Sequence, residues 1–259
     1  MLFYNDFMKN TSWEPIADWY KKIVGVTGHY YHKEVILPKV LEILNLKDNE
    51  SVVDFACGQG ILARVINSKS KYLGFDISKE LINEAISHKN SNQKFVVADI
   101  TKEMRFDDKF DFATIILAFQ NLKNPRLALK NIYQSLKDQG KLVIVINHPC
   151  FRVPKHSDWI FQRNKQMRII ESYLSKLEIP IESSPFDKRN NQITWSFHYS
   201  LSEISKMLKA EGFLIESVEE HISPKKSEGG RAVAEDRARK EIPMFMTIVA
   251  VKANDKIKL

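Results

Sequence analysis

Three aspartates, each at or near the end of an apolar run, are the residues best placed to do chemistry in this sequence. Asp54 lies in SVVDFACGQG, Asp76 ends KYLGFD and Asp99 ends KFVVAD. A carboxylate at the end of a buried strand can accept hydrogen bonds from a ligand or attract a cationic group. One such aspartate is as readily a helix cap or a turn residue, but three in succession indicate a common binding edge.

A glycine turn follows the first aspartate and matches G-x-G-x-x-G/A, with Gly58, Gly60 and Ala63 in the three slots. The pattern is typical of dinucleotide-binding turns, although alone it is a weak signal. A dinucleotide would bring a pyrophosphate to this turn, where the buried carboxylate of Asp54 would repel it. S-Adenosylmethionine carries an ammonium and a sulfonium but no phosphate, so Asp54 favours it over NAD.

The other two aspartates suit the remaining parts of the same ligand. Asp76 follows Asp54 by 22 residues, a spacing typical of a carboxylate that binds ribose hydroxyls. Asp99, after the next strand, could accept a hydrogen bond from an adenine amino group.

The elements that must position these residues alternate between strand-like runs and helical patterns. The strand-like runs are SVVDFA, KYLGFD, KFVVAD, FDFATIILAF and KLVIVIN. Helices are predicted over SKELINEAISHK, which opens on the capping residue Ser78, and over PRLALKNIYQSLKDQG, from Pro125 to Gly140. Five βα units over residues 51–147 therefore predict a parallel sheet.

The 259 residues, 44% of them hydrophobic, predict one α/β domain with additions. After the core come an irregular stretch (150–197), the helix LSEISKMLKAEG, the strand FLIESVEEH, a polar loop and the strand PMFMTIVAVK. We divide the chain into an N-terminal helical cap (1–46), a cofactor-binding core (47–148), an insert over the acceptor site (149–200) and a C-terminal helix with two strands (201–259), with the polar loop over 222–241.

Several classes of protein are disfavoured by composition. No signal-peptide core and no run of about eighteen apolar residues appears, so we expect a soluble, cytoplasmic protein without membrane contact. The two cysteines, Cys57 and Cys150, lie in no metal-binding or disulfide pattern, and no metal is expected. The net charge of +7 permits nucleic-acid binding, but a lysine-rich solvated surface is the favoured interpretation.

Several motifs follow one another in order, namely VVDFACGQG, YLGFD, VVADI and the run FDFATIILAFQNLKNPRLALKNIYQSLKDQGKLVIVI, and a two-strand ending comes after them. Together they resemble the ordered motifs of class I S-adenosylmethionine-dependent methyltransferases, over roughly residues 35–150. The resemblance implies a Rossmann-like three-layer sandwich with sheet order 3-2-1-4-5-7-6, the last strand antiparallel. It places S-adenosylmethionine over the carboxyl ends of strands 1 to 4. NHPCFRVP and the segments after it are similar to a bacterial subgroup of small-molecule methyltransferases.

The cofactor-binding residues that the resemblance implies are Asp54, Ala56, Gly58, Gly60, Asp76, Ile77, Asp99, Ile100, Ala118 and Phe119. Ala56 stands where the family motif D-x-G-x-G-x-G has its first glycine, a frequent replacement. His29 and His32 could cap the cofactor site, and Trp13 lies in a segment that could fold over it as a lid; aromatic core packing is the alternative for all three.

Methyl transfer is an in-line displacement, so the acceptor must be positioned and deprotonated. His148 is our candidate base, because Pro149 favours an extended conformation for it and its ordinary pKa suits proton removal near neutrality. A histidine satisfied by the backbone is the alternative. Candidate substrate-binding residues are Asn147, Phe151, Arg152, Arg231 and Arg237, with Arg239 beside them.

Three function classes remain. The favoured one is an O-, N- or C-methyltransferase with a small-molecule acceptor, because inserts able to shape an acceptor site are present and no separate RNA-binding module is. A tRNA or rRNA methyltransferase is the alternative that the basic charge permits. The third class is a non-catalytic or NAD-type nucleotide-binding protein. The sequence leaves the acceptor, its attacking atom and the oligomeric state open.

Overall fold

A seven-stranded sheet forms the centre of the protein in the computed structural model, which describes residues 11, 13–182 and 192–253. Its strands are β1 (Ser51–Phe55), β2 (Lys71–Asp76), β3 (Gln93–Val97), β4 (Phe110–Ile116), β5 (Leu136–Asn147), β10 (Phe213–His221) and β11 (Phe245–Lys252). Four further strands, β6 to β9, form two hairpins outside this sheet and are described below. The helices are α1 (Ala17–Val24), α2 (Leu37–Leu44), α3 (Lys79–Ser87), α4 (Arg126–Ser135), α5 (Leu201–Ala210) and α6 (Ala232–Glu241).

The strand order is β3-β2-β1-β4-β5-β11-β10. Strands β1 to β5 are parallel to one another, whereas β11 is antiparallel to both β5 and β10. Numbering these seven strands alone gives 3-2-1-4-5-7-6, so the predicted fold class, sheet order and antiparallel last strand are confirmed.

Alternating apolar residues on the strands build a core on each face of the sheet. On β1, Val53 packs with Leu129 of α4 and Leu208 of α5, while its neighbour Val52 packs with Val40 of α2 and Ile82 of α3. Successive strand side chains point to opposite faces, which is why adjacent valines enter different cores. The result is the three-layer sandwich.

The three helices predicted by their sequence form as α3, α4 and α5, with different accuracy at their ends. Ser78 caps α3 as predicted, and its hydroxyl accepts a hydrogen bond from the backbone N–H of Leu81 at 3.2 Å. Helix α4 ends at Ser135, not at Gly140, because Leu136 already pairs with Phe110 of β4.

The prediction of five regular βα units was too simple. A single 3₁₀ turn, Leu62–Arg64, follows β1 where a helix was expected, and the described residues between β3 and β4 form no helix.

The segments after β5 are more regular than expected. The stretch over 150–197 contains the hairpins β6 (Ser157–Gln162) with β7 (Lys165–Ile170) and β8 (Leu177–Glu182) with β9 (Ile193–His198). The polar loop predicted over 222–241 contains helix α6. Over the part of the chain that the structure describes, none of the helices has the length and apolar character needed to cross a membrane.

Candidate functional site

A cavity of about 370 Å³ lies at the carboxyl ends of the parallel strands. Its walls come from the turns after successive strands: Ala56 and Gly58 after β1, Asp76 and Ile77 at the end of β2, Ala98, Asp99 and Ile100 after β3, Leu117 and Ala118 after β4, and Asn147 at the end of β5. Parallel strands deliver all these ends to the same edge of the sheet, where ligands of open α/β folds bind.

The turn after β1 adopts left-handed backbone angles at Ala56 (φ 57°), Gly58 (φ 54°) and Gly60 (φ 77°). A Cβ on Gly58 would meet only the Tyr20 ring, at 3.9 Å, so the missing side chain leaves room on the cavity side. A Cβ on Gly60 would instead come within 3.0 Å of Phe95 and 3.1 Å of Ala85. Gly60 therefore permits packing of the turn against β3 and α3, and it does not line the cavity.

Asp76 ties the turn to the start of α3. Its Oδ2 accepts from the backbone N–H of Gly58 and its Oδ1 from that of Ser78, both at 2.8 Å. Burial raises the pKa of the Asp76 carboxyl, and these two backbone hydrogen bonds act in the opposite direction. The carboxylate is thus held in one position on the cavity wall, as binding of paired hydroxyls requires.

Asp99 lies on the wall after β3 beside an apolar strip formed by Ile77, Ala98 and Ile100. Its Oδ1 accepts from the backbone N–H and the hydroxyl of Thr101, at 2.9 and 2.6 Å, so a local turn fixes the carboxylate. A carboxylate at the edge of an apolar strip fits a flat ring that carries an amino group.

Asp54, by contrast, does not line the cavity. It lies beneath the turn, 3% exposed, where its carboxylate accepts from the hydroxyls of Tyr72 at 2.6 Å and Thr114 at 2.7 Å. Burial raises the pKa of Asp54 to about 6, against the lowering effect of these two hydrogen bonds. The geometry gives Asp54 a position supporting the turn, without direct contact with a ligand.

The N-terminal segment closes the cavity with Trp13, Tyr20 and His32. The Trp13 ring meets the edge of Tyr20 at 5.2 Å between centroids, and burial raises the pKa of the Tyr20 hydroxyl. Among the described residues, Trp13 Nε1 and His32 Nδ1 are buried polar atoms without a hydrogen-bond partner. Two such atoms on a cavity wall are suited to binding a ligand.

His32 begins a π-helical turn, His32–Ile36, of a kind frequent at functional sites. Burial lowers its pKa to about 4, so the ring is neutral at physiological pH. The sequence analysis suggested His32 and Trp13 as covering residues, and both line the cavity. It did not suggest Tyr20, because nothing in DWYKK distinguishes that tyrosine from a core residue.

A smaller cavity of about 30 Å³ adjoins the first and shares Gln120, Asn147, Pro154 and Ser196 with it. Phe119 and Arg152 line only this smaller space. Pro154 and Ser196 come from the insert after β5, so part of the insert does cover this end of the site.

His148 points away from both cavities. The residue is 2% exposed, its Nε2 lies 2.7 Å from Oε1 of Glu220, and its Nδ1 accepts from the backbone N–H of Cys150 at 3.2 Å. An accepting Nδ1 places the proton on Nε2, which therefore donates to Glu220. Burial lowers the pKa of His148, and Phe151 packs on its ring at 4.7 Å between centroids. The geometry supports a structural role for both residues, in place of the predicted base and substrate contacts.

The three arginines of the predicted polar loop over 222–241 also lie outside the cavities. Arg231 sits over the Phe161 ring at 4.5 Å, Arg237 donates to the Gln166 carbonyl at 3.5 Å, and Arg239 pairs with Asp236 at 3.1 Å. These contacts attach α6 to the β6–β7 hairpin or stay within the segment. Arg231 and Arg237, predicted to bind substrate, therefore line neither cavity.

Replacing His148 by asparagine is expected to change the affinity for S-adenosylhomocysteine by less than about twofold, while lowering the free energy of unfolding by about 1 kcal/mol through the lost Glu220 hydrogen bond. Calorimetric titration and urea unfolding of the same preparations measure the two effects. A loss of affinity without a loss of stability would show that His148 takes part in the site and would contradict its structural role.

A methyltransferase-domain family matches residues 28–218, which is well over half of the chain. The chain belongs to this family, and its fold is that of the class I S-adenosylmethionine-dependent methyltransferases. The resemblance, the enzyme class and the cofactor predicted from the sequence are confirmed.

Individual relatives share only part of their sequence with this chain. The chain is 28% identical over 149 residues to the ubiquinone/menaquinone biosynthesis C-methyltransferase of Rickettsia typhi, covering 53% of this chain and 59% of that one. It is 30% identical to the (S)-coclaurine N-methyltransferase of Thalictrum flavum, covering 43% of this chain and 32% of that one. The chain spans about half the length of the first relatives it matches.

Solved structures support the fold. An S-adenosylmethionine-dependent methyltransferase from Mesorhizobium loti superposes with a TM-score of 0.64 at 23% identity, over 82% of this chain and 96% of that one. A corresponding protein from Listeria monocytogenes gives 0.67 at 22% identity, over 86% and 98%.

Proposed function

We propose that this protein transfers the methyl group of S-adenosylmethionine to a small-molecule acceptor. The observation that carries the proposal is the form of the site: one walled cavity at the strand ends continues into a smaller one beneath the insert. Such a space accommodates a cofactor with a compact acceptor, whereas RNA needs an open, basic groove.

The residues that line the larger cavity fit the cofactor. Asp76 would accept from the ribose hydroxyls and Asp99 from the adenine amino group, with Ile77 and Ile100 against the ring. Gly58 leaves the close approach open, and Trp13 and His32, each with a buried ring nitrogen that has no hydrogen-bond partner among the described residues, line the same cavity. S-Adenosylmethionine, when bound, supplies an electrophilic methyl group on a sulfonium.

The chain's own residues would then position the acceptor and exclude water. Gln120 and Asn147 line both cavities, so they lie where cofactor and acceptor meet and can hydrogen-bond a polar acceptor atom. Tyr20 and Trp13 close the opposite side, which keeps bulk water away from the transfer. Most of the rate enhancement in such a site comes from holding the two reactants in line.

The activities for which two relatives are named support a small molecule as the acceptor. A ubiquinone/menaquinone C-methyltransferase and a coclaurine N-methyltransferase both take small molecules, on carbon and on nitrogen respectively. The attacking atom in this protein is not assigned by them.

The test is methyl transfer from labelled S-adenosylmethionine to two pools offered separately, a fractionated metabolite extract and total RNA. We expect label in one or a few small-molecule fractions and none in RNA. The matched control is Asp76→Ala, which should lose transfer to either pool. Label in RNA alone would replace the proposal with the RNA methyltransferase alternative.

A further inference from the structure

Arg152 is the cation that lines the smaller cavity, at the end of the site away from Asp76 and Asp99. It comes three residues after Pro149, in the loop that leaves β5, and the shared residues Asn147 and Pro154 connect its cavity with the larger one. A group bound there would belong to the acceptor.

The guanidinium of Arg152 is half-buried and lacks an acidic partner among the described residues. Its Nε donates to the Pro243 carbonyl at 3.4 Å, and its Cζ lies 5.1 Å from the centre of the Trp159 ring. The charged group that lowers its pKa is a second guanidinium, that of Arg168. Burial and Arg168 lower the pKa of Arg152 to about 10, so it remains charged at neutral pH.

Arg168 is held differently, although it lies on the same ring, 5.2 Å from the Trp159 centroid. Its Nε donates to the Phe151 carbonyl at 2.9 Å and its Nη2 to the Ser157 hydroxyl at 2.6 Å. Arg168 therefore has its Nε and Nη2 donors directed to the protein, whereas the two terminal nitrogens of Arg152 have no hydrogen-bond partner among the described residues. Placing a cation without a carboxylate beside a second cation is costly unless a ligand anion joins them.

We infer that Arg152 binds an anionic oxygen group of the acceptor, so that the substrate is a small molecule carrying a carboxylate or a comparable planar monoanion. This rests on the proposed function, since it assigns the acceptor end of the same site. The planar fork of arginine matches a carboxylate in a bidentate manner. The smaller cavity, of about 30 Å³, has room for such a group, and the rest of the acceptor would extend past Asn147 and Pro154 into the larger cavity. Of the three arginines predicted to bind substrate, Arg152, Arg231 and Arg237, Arg152 is the one that lines the site.

The experiment uses the full chain saturated with S-adenosylhomocysteine and two probes of nearly equal shape, benzoate and benzamide, titrated calorimetrically. We expect benzoate to bind at least about tenfold more tightly than benzamide. Arg152→Met, which keeps the apolar stem, should remove that preference and leave benzamide within about twofold. Arg152→Lys should retain only part of it, because a point charge cannot bind in a bidentate manner.

Arg163→Met is the matched control, since Arg163 is exposed in the β6–β7 turn, and it should leave the preference intact. Equal binding of the two probes by the unmodified protein, no benzoate binding, or an unchanged preference in Arg152→Met would each overturn the inference. Binding of S-adenosylhomocysteine is measured in the same variants. Its absence would refute the proposed function, whereas its presence without benzoate selectivity refutes only the role of Arg152.

Discussion

Replacing Asp76 by alanine is expected to weaken binding of S-adenosylhomocysteine by roughly 10- to 100-fold, because hydrogen bonds to a charged acceptor are worth about 1.5–3 kcal/mol. The effect has two parts. The carboxylate would accept from the ribose hydroxyls, and it also holds the N–H groups of Gly58 and Ser78 that shape the turn and the start of α3.

Asparagine at position 76 is expected to be nearly as harmful as alanine. Each Asp76 oxygen accepts from a backbone N–H, Oδ2 from Gly58 and Oδ1 from Ser78, so one of them would face an amide NH₂ instead. Calorimetric titration measures both variants, and Asp107→Ala, at an exposed position, is the control. Less than a twofold change in Asp76→Ala would contradict the assignment, as would tight binding of NADH.

Asp54 is expected to make the stability of the fold depend on pH. Burial raises its pKa to about 6 in the folded state, whereas an unfolded aspartate titrates near about 3.9. Between these values the folded chain holds a proton that the unfolded chain has released. The free energy of unfolding therefore falls as pH rises through this window, by up to about 3 kcal/mol, and stays lower above it.

Asp54→Asn removes the titrating group and keeps its shape. Urea unfolding of both proteins between about pH 4 and pH 7.5 should show the stability of Asp54→Asn rising relative to the unmodified chain as pH increases. Asp107→Asn, at an exposed site, should show no such trend. A constant difference between Asp54→Asn and the unmodified chain would mean that Asp54 is ionised over the whole range.

The sheet could be predicted because its strands are short apolar runs separated by polar turns, and each run carries its own signal. The β6–β7 hairpin could not. Its two turn residues, Arg163 and Asn164, both have left-handed angles, φ 51° and 57°, which a two-residue hairpin turn requires. Such turns are usually marked by Asn-Gly or Asp-Gly, and Arg-Asn gives no comparable signal.

The residues of the site likewise include some that the sequence could predict and some that it could not. Asp76 and Asp99 could be placed because Asp76 ends β2 and Asp99 follows the end of β3 by two residues. Tyr20 reaches the cavity only through packing of the N-terminal segment, which no local pattern records. For His148 the sequence predicted the position at the strand end but not the direction of the side chain. Asn147 lines the cavity, and the next residue in an extended chain points the opposite way, toward Glu220.

The position of β11 inside the sheet has a consequence for synthesis of the protein on the ribosome. This strand lies between β5 and β10, and six of its eight residues, from Phe245 to Ala250, are buried. Until residue 252 has left the ribosome, β5 presents an unpaired edge of apolar residues, and β10 has no neighbour to pair with. An exposed apolar edge of this kind pairs readily with other chains. Aggregation through the β5 edge is therefore prevented only when β11 has paired with it, which makes the completion of the sheet one of the last steps of folding.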